Sequence, residues 1–239
     1  MNTDLPITPD LFATPDRFLW HPATRTAILA DLHLTAPFPG NSPTRAAFAR
    51  LAARNPARVI LAGDLVDLPE LNESALAACR DLFALLPTAC RLTLTPGNHD
   101  PADLVTALHI DSTPAFAFGR NLVSHGKDLL PAVAETSDLT WIVGHQHPML
   151  TLHSRVQSAN LPCYAVCEFA AYHHPRRLIV LPVFSRDPGS PRGLNLRAAH
   201  SWLLPLPRPA ASHIRIFGLI DSPAAPARLL DFGPLAGLH

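Results

Sequence analysis

The sequence predicts an α/β sandwich built on two mixed β-sheets. Three features predict it. Short apolar, β-rich runs alternate with helical stretches through the first two thirds of the chain. Strands then follow one another with little helix between them. The early strands end in polar loops of the kind that collect at one sheet edge.

Taken in order, the first buried strand falls at 26–30, Thr-Ala-Ile-Leu-Ala. The Ala- and Arg-rich stretch 43–54 is helical, 58–62 is the next strand, and 73–86 is a second helix with Asn72 as its N-cap. Arg91–Leu94 is a third strand. Asp100 and Pro101 then open a helix through about Leu108, with Asp as N-cap and Pro at the first helical position. Further strands are expected at Asn121–Ser124, Thr140–Val143, 148–152, 163–167, 178–183 and 213–220. The Pro-, Gly- and Arg-rich stretch 186–209 reads as a long irregular connection. There is no internal repeat, so one domain over 1–239 is expected, with a motif-bearing core at about 20–184 and C-terminal strands at about 213–231.

Composition supports a folded core: 48% of the 239 residues are apolar and only 16% charged, which excludes disorder as the whole story. The 26 prolines cut the chain into short elements. A formal net charge of zero excludes the strongly basic balance of a dedicated DNA-binding module. Locally, 151–217 holds eight Arg against Glu168 and Asp187. That excess is either an arginine bias in a chain whose one lysine is Lys127, or a patch that attracts phosphate. The four cysteines form no Cys-x-x-Cys pair, and Cys163 and Cys167 read as core thiols. With no apolar leader and no run long enough to span a bilayer, a cytoplasmic protein away from membranes is expected.

The chemistry lies after the strands. Asp31 and His33 follow the first, Gly63, Asp64 and Asp67 the second, and Gly97-Asn98-His99-Asp100 the third. His125 and Gly126 follow a later strand, and Gly144-His145-Gln146-His147 another. Such loops converge at one edge of an open α/β sheet. They would bring Asp31, His33, Asp64, Asn98, His125, His145 and His147 together. Unpaired, that many buried polar groups are costly, and two divalent cations would satisfy them. Imidazole and carboxylate donors without thiolate suit Mn, Fe, Zn, Ni or Co. Alone, an Asp-x-His or a Gly-Asp turn says little; the five motifs in this order form the signal.

These motifs resemble the calcineurin-like metallophosphoesterase superfamily over about 26–147. The resemblance implies a four-layer αββα sandwich with two metals, Mn²⁺ first among them, at the sheet edge. It implies that Asp31, His33 and His147 bind the first metal, that Asn98, His125 and His145 bind the second, and that Asp64 bridges both. His99 would sit beside the scissile phosphate as a general acid, oriented by Asp100, with Asp67 also in the catalytic set. Two metals would hold a bridging hydroxide for in-line attack on the phosphate. Asn98, His99 and Lys127 are the expected substrate contacts, although Lys127 is equally readable as an exposed residue.

Within the superfamily, protein phosphatases carry Arg-Gly after Gly-Asp-x-x-Asp, where this chain has Leu68-Pro69, and Glu where it has Asp100. The lipid-A pathway UDP-sugar pyrophosphohydrolases usually carry Arg where His99 stands. The chain most resembles the ligase-associated, PdeM-like metallophosphoesterases. Trp20-His21-Pro22, Leu161-Pro162-Cys163-Tyr164 and Leu181-Pro182-Val183-Phe184 extend that likeness. Two positions depart from it: Asp67 and Lys127 stand where that group often has His. The resemblance implies a phosphodiesterase or endonuclease of DNA repair, linked to a DNA ligase and a helicase and acting on DNA or RNA ends or cyclic phosphates. The alternatives are a small-molecule phosphomonoesterase, a nucleotide or UDP-sugar pyrophosphohydrolase, and a non-catalytic scaffold.

Overall fold

The first sheet contains β1 (Leu5–Pro6), β2 (Phe12–Ala13), β3 (Leu19–His21), β4 (Thr26–Leu29), β5 (Arg58–Leu61), β6 (Arg91–Leu94) and β7 (Asp111–Ser112), side by side in chain order. β1 to β4 pair antiparallel, whereas β4 to β7 run parallel. Parallel neighbours need crossovers, and α1 (Pro43–Ala52), α2 (Glu73–Phe83) and α3 (Leu104–Leu108) supply them. The computed structural model describes residues 4–36, 42–131, 133, 138–153, 157–169, 176–187, 193–198, 202–222 and 225–238.

The second sheet contains β8 (Phe116–Phe118), β9 (Asn121–Ser124), β10 (Thr140–Val143), β11 (Pro148–His153), β12 (Ser158–Glu168), β13 (Arg177–Val180), β14 (Leu194–Asn195), β15 (Ile214–Ser222) and β16 (Ala225–Pro234). β9, β10 and β13 are its parallel heart. The long β12 pairs β11 through its first half, and β13 and β15 through its second.

Three buried layers hold this stack together. Alternate residues of β4 and β5 point to opposite faces. Ala27, Leu29, Val59 and Leu61 pack on the helices through Phe48, Leu51, Cys79 and Leu82. Ile28 and Ile60 instead meet Val123, Ile142, Tyr164 and Ile179 between the sheets. Trp141, Val143, Cys163, Leu178 and Val180 form the third layer, on the outer face of the second sheet.

Two mixed sheets and a helical layer on the first sheet stand as expected. Among the described residues, the outer face of the second sheet is covered by Val133 and by side chains of irregular chain, including Leu196, Trp202, Leu204 and Leu206. Pro205, Pro207 and Pro209 deny that stretch the N–H groups a helix needs. No described helix is long and apolar enough to cross a membrane.

Asn72 caps α2 by accepting a bond from the Ala75 N–H at 2.9 Å. The third helix departs from expectation: it begins at Leu104 rather than Pro101, with Asp103 at its N-terminal boundary. The Asp100 carboxylate caps nothing because it is engaged elsewhere, accepting from the Gly97 N–H at 2.8 Å and the Val66 N–H at 3.1 Å.

Candidate metal centre

Register decides where the loops emerge. Leu29 is level with Leu61, and Leu61 with Leu94; in the second sheet, Ser124 and Val180 are both level with Val143. The polar residues after these strands therefore leave at matched heights on one edge. The edge is stitched across the sheets where Ala30 bridges Val183 and the Phe184 N–H bonds to the Ala30 carbonyl at 3.0 Å.

The backbone there is strained. Asp31, His33, Asp64, His145 and His147 have φ of 58°, 49°, 49°, 62° and 44°. Left-handed conformations of residues other than glycine cost of order 1–3 kcal/mol each and persist only where the surroundings impose them. The His145 N–H is held by both Asp31 carboxylate oxygens, at 3.2 and 3.1 Å, and the His33 N–H by the Asp64 carbonyl at 3.0 Å. Close approach also requires glycine. A Cβ on Gly97 would lie 2.1 Å from Asp64 Oδ1, and one on Gly63 (φ 80°) would lie 2.2 Å from the His125 ring.

Asp31, His33, Asp64 and His147 offer donor atoms that all lie within 4.8 Å of one another, and so do Asp64, His125 and His145. Asp64 is common to both groups. Its Oδ2 lies 3.9 Å from His33 Nε2 on one side and 3.5 Å from His125 Nε2 on the other. His33 Nε2 and His147 Nε2 are 3.1 Å apart, as are His145 Nδ1 and His125 Nε2. Asn98 Oδ1 is 3.1 Å from His125 Nε2. The His125 Nδ1–H donates to the Ala62 carbonyl at 3.1 Å, which turns the Nε2 lone pair inward. Donors bonded to one ion at about 2.1 Å sit roughly 3.0–3.5 Å from each other, so these spacings suit cations between them.

The electrostatics agree. Asp31 and Asp64 are buried, and their polar partners among the described residues are imidazoles and backbone N–H groups. Burial raises the Asp64 pKa, against the pull of His125. Burial pushes His33 down to about 4, against Asp31, and pushes His145 down to about 4, reinforced by His125. Burial also opposes charge on His147, but its hydrogen bond and attraction to Asp31 prevail, and its pKa is raised. Imidazoles held neutral by burial, as at His33 and His145, are donors that divalent cations take.

The other expected site residues divide. His99 stands at the mouth, half-exposed, and its N–H bonds to Asp64 Oδ1 at 3.0 Å. Its ring is oriented by Asp67 rather than Asp100: His99 Nδ1 lies 2.6 Å from Asp67 Oδ1. The same carboxylate faces His33 Nδ1 at 3.6 Å, a buried nitrogen with no hydrogen-bond partner among the described residues. Asp100 is kept from His99 by its two backbone bonds, so it braces the loops instead. Lys127 lines a cavity beside Asn98 and His125.

Residues 24–124 match the sequence profile of the calcineurin-like phosphoesterase family. That stretch, less than half of the chain, is where the sequence itself is similar to the calcineurin-like phosphoesterases. The match ends just before His125, so the fold brings His125, His145 and His147 to the phosphoesterase motifs. Among solved structures, Pseudomonas putida nuclease MPE aligns over 96% of this chain and all of its own, at a TM-score of 0.63 and 19% identity. That likeness shows a shared calcineurin-like fold. Entamoeba histolytica Vps29, as a single mutant and as the wild type with Zn²⁺, aligns over 87% of this chain and 99% of its own, at 14% identity and TM-scores of 0.38 and 0.37. No curated protein matches the sequence.

Two features in and beside this candidate site escape a motif reading. Gln146, between two candidate ligands, is fully buried, and its Oε1 accepts the Leu203 N–H at 2.6 Å. Its burial was readable only from its place between them. Ser112 and Thr113, beside the Lys127 cavity, lie outside every motif.

Proposed function

We propose that the chain is a metal-dependent phosphodiesterase acting on nucleic acid. Asp64 carries the reading: one carboxylate stands between two histidine groups, with His99 beside it at the mouth. Asp31, His33 and His147 would hold one divalent cation and Asn98, His125 and His145 the other, with Asp64 shared; Mn²⁺ is the first to test. When bound, the cations supply Lewis acidity toward the phosphoryl oxygens and lower the pKa of water toward neutrality.

The chain's own residues do the rest. Asp67 occupies His99 Nδ1, so Nε2 is the nitrogen left to protonate a leaving oxygen. Asp100 keeps the Gly97 and Val66 loops at the separation His99 needs. The fold shared with a protein named as a nuclease supports nucleic acid as the substrate class. A place in DNA repair beside a ligase and a helicase belongs to the same proposal and rests on the motif resemblance.

The test compares bis-p-nitrophenyl phosphate with p-nitrophenyl phosphate on metal-stripped protein, with Mn²⁺, Zn²⁺ or Mg²⁺ restored. Diester hydrolysis that requires metal and exceeds monoester hydrolysis is expected. A monoester preference would move the chain to the phosphatases, and no turnover with any metal would favour a scaffold.

A further inference from the structure

A cavity of about 390 Å³ opens against the second histidine group. Asn98 and His125 are among its lining residues, so the cavity adjoins the candidate metal centre. Pro96 and Pro114 present apolar rings on its sides. Ser112 and Thr113, at the end of β7, line it as well, as do Lys127 and Asp128. Lys127 and Asp128 are exposed, adjacent in sequence and not paired with each other.

This combination selects a kind of occupant. The volume is that of a small-ligand pocket. Apolar walls suit a flat ring, and the Ser112 and Thr113 positions offer hydroxyls to a polar one. The Lys127 ammonium, which has no ion-pair partner among the described residues, is a point-charge binder of phosphate. We infer that the cavity seats one nucleoside of the substrate strand, with the scissile phosphate at the metal centre and the next phosphate on Lys127. This rests on the phosphodiesterase reading and narrows it: the unit recognised is a nucleoside with a phosphate on each side. Asp128 faces the same space and can accept from a base N–H, but its charge keeps a third phosphate away.

The experiment measures binding separately from turnover. Thymidine 3′,5′-bisphosphate, thymidine monophosphates and inorganic phosphate are titrated calorimetrically into metal-free and Mn²⁺-loaded protein. Expected is an affinity ladder in that order, with the bisphosphate at least tenfold tighter than inorganic phosphate. Lys127→Ala removes the step between bisphosphate and monophosphate, and Lys127→Arg restores part of it. Ser112→Trp, at an exposed position on the rim, collapses the whole ladder while inorganic phosphate still binds. Equal affinities for all three ligands would overturn the inference, as would a ladder unchanged in both Lys127→Ala and Ser112→Trp. If Ser112→Trp fails to fold, the lysine pair decides alone. Failure of wild-type protein to cleave the p-nitrophenyl diester is a separate result, and strikes the function rather than the cavity.

Discussion

The two edges of the sandwich handle charge in opposite ways. At the amino ends of the second sheet's parallel strands, Arg120 and Arg176 pair with Asp138, and Arg177 with Glu168, on largely exposed side chains. At the carboxyl ends, Asp31 and Asp64 are buried among imidazoles. The first edge ties its charges into ordinary ion pairs; the second gathers its carboxylates among imidazoles with no arginine or lysine paired to them among the described residues. Function is to be sought where carboxylates gather without such ion pairs. Of the eight arginines in 151–217, Arg176 and Arg177 sit on the far edge, away from the candidate metal centre. Arg155 and Arg192 lie outside the described residues.

The comparison breaks most readily at Asp64. Asp64→Ala is expected to lose metal, measured by elemental analysis, and turnover by roughly 10³-fold or more. Wild-type turnover in that variant would end the two-cation reading. His99→Ala should keep its metal and lose roughly 10²–10⁴-fold in turnover; if metal content collapses instead, His99 is a ligand and the division of roles is wrong. Asp67→Asn is expected to cost about 10–100-fold and to shift the pH–rate profile. Asp100→Asn should show mainly as a lower unfolding midpoint, and the reverse pattern would return His99 to Asp100.

Proton linkage sharpens the contrast further. The unfolded chain protonates His33 and His145 near their ordinary value of 6.5, while the folded metal-free protein resists until about 4. Between those values the unfolded state binds more protons, so stability falls as pH drops through that window. His147, with its raised pKa, works in the opposite sense and softens the loss. Denaturant midpoints flat between pH 7 and 4.5 would contradict neutral buried imidazoles. At the other edge, Arg176→Ala should leave turnover alone and shift stability by no more than about 1 kcal/mol.

The ligand loops were legible because each follows an apolar β run that names its own end, as at 26–30 and 58–62. β1, β2 and β3 were not, since two or three residues beside proline show no period. The first half of β12, Ser-Ala-Asn-Leu-Pro, hides for the same reason. Asp100 misled because an Asp before Pro has the form of a helix cap; only the folded loops reveal that backbone N–H groups had claimed it. The cover on the second sheet was illegible because its leucines lie among prolines without a helical or strand spacing.

The bond from Leu203 to Gln146 sets an order in time. A nascent chain that has emerged only as far as His147 already carries every candidate ligand. It does not yet carry β13, which flanks β10, nor the N–H that anchors the amide between His145 and His147. Synthesis must run more than 50 residues past the last ligand, from 147 to 203, before that loop is fastened. A cation that binds earlier meets a half-built site, so tight loading belongs late in the making of the chain.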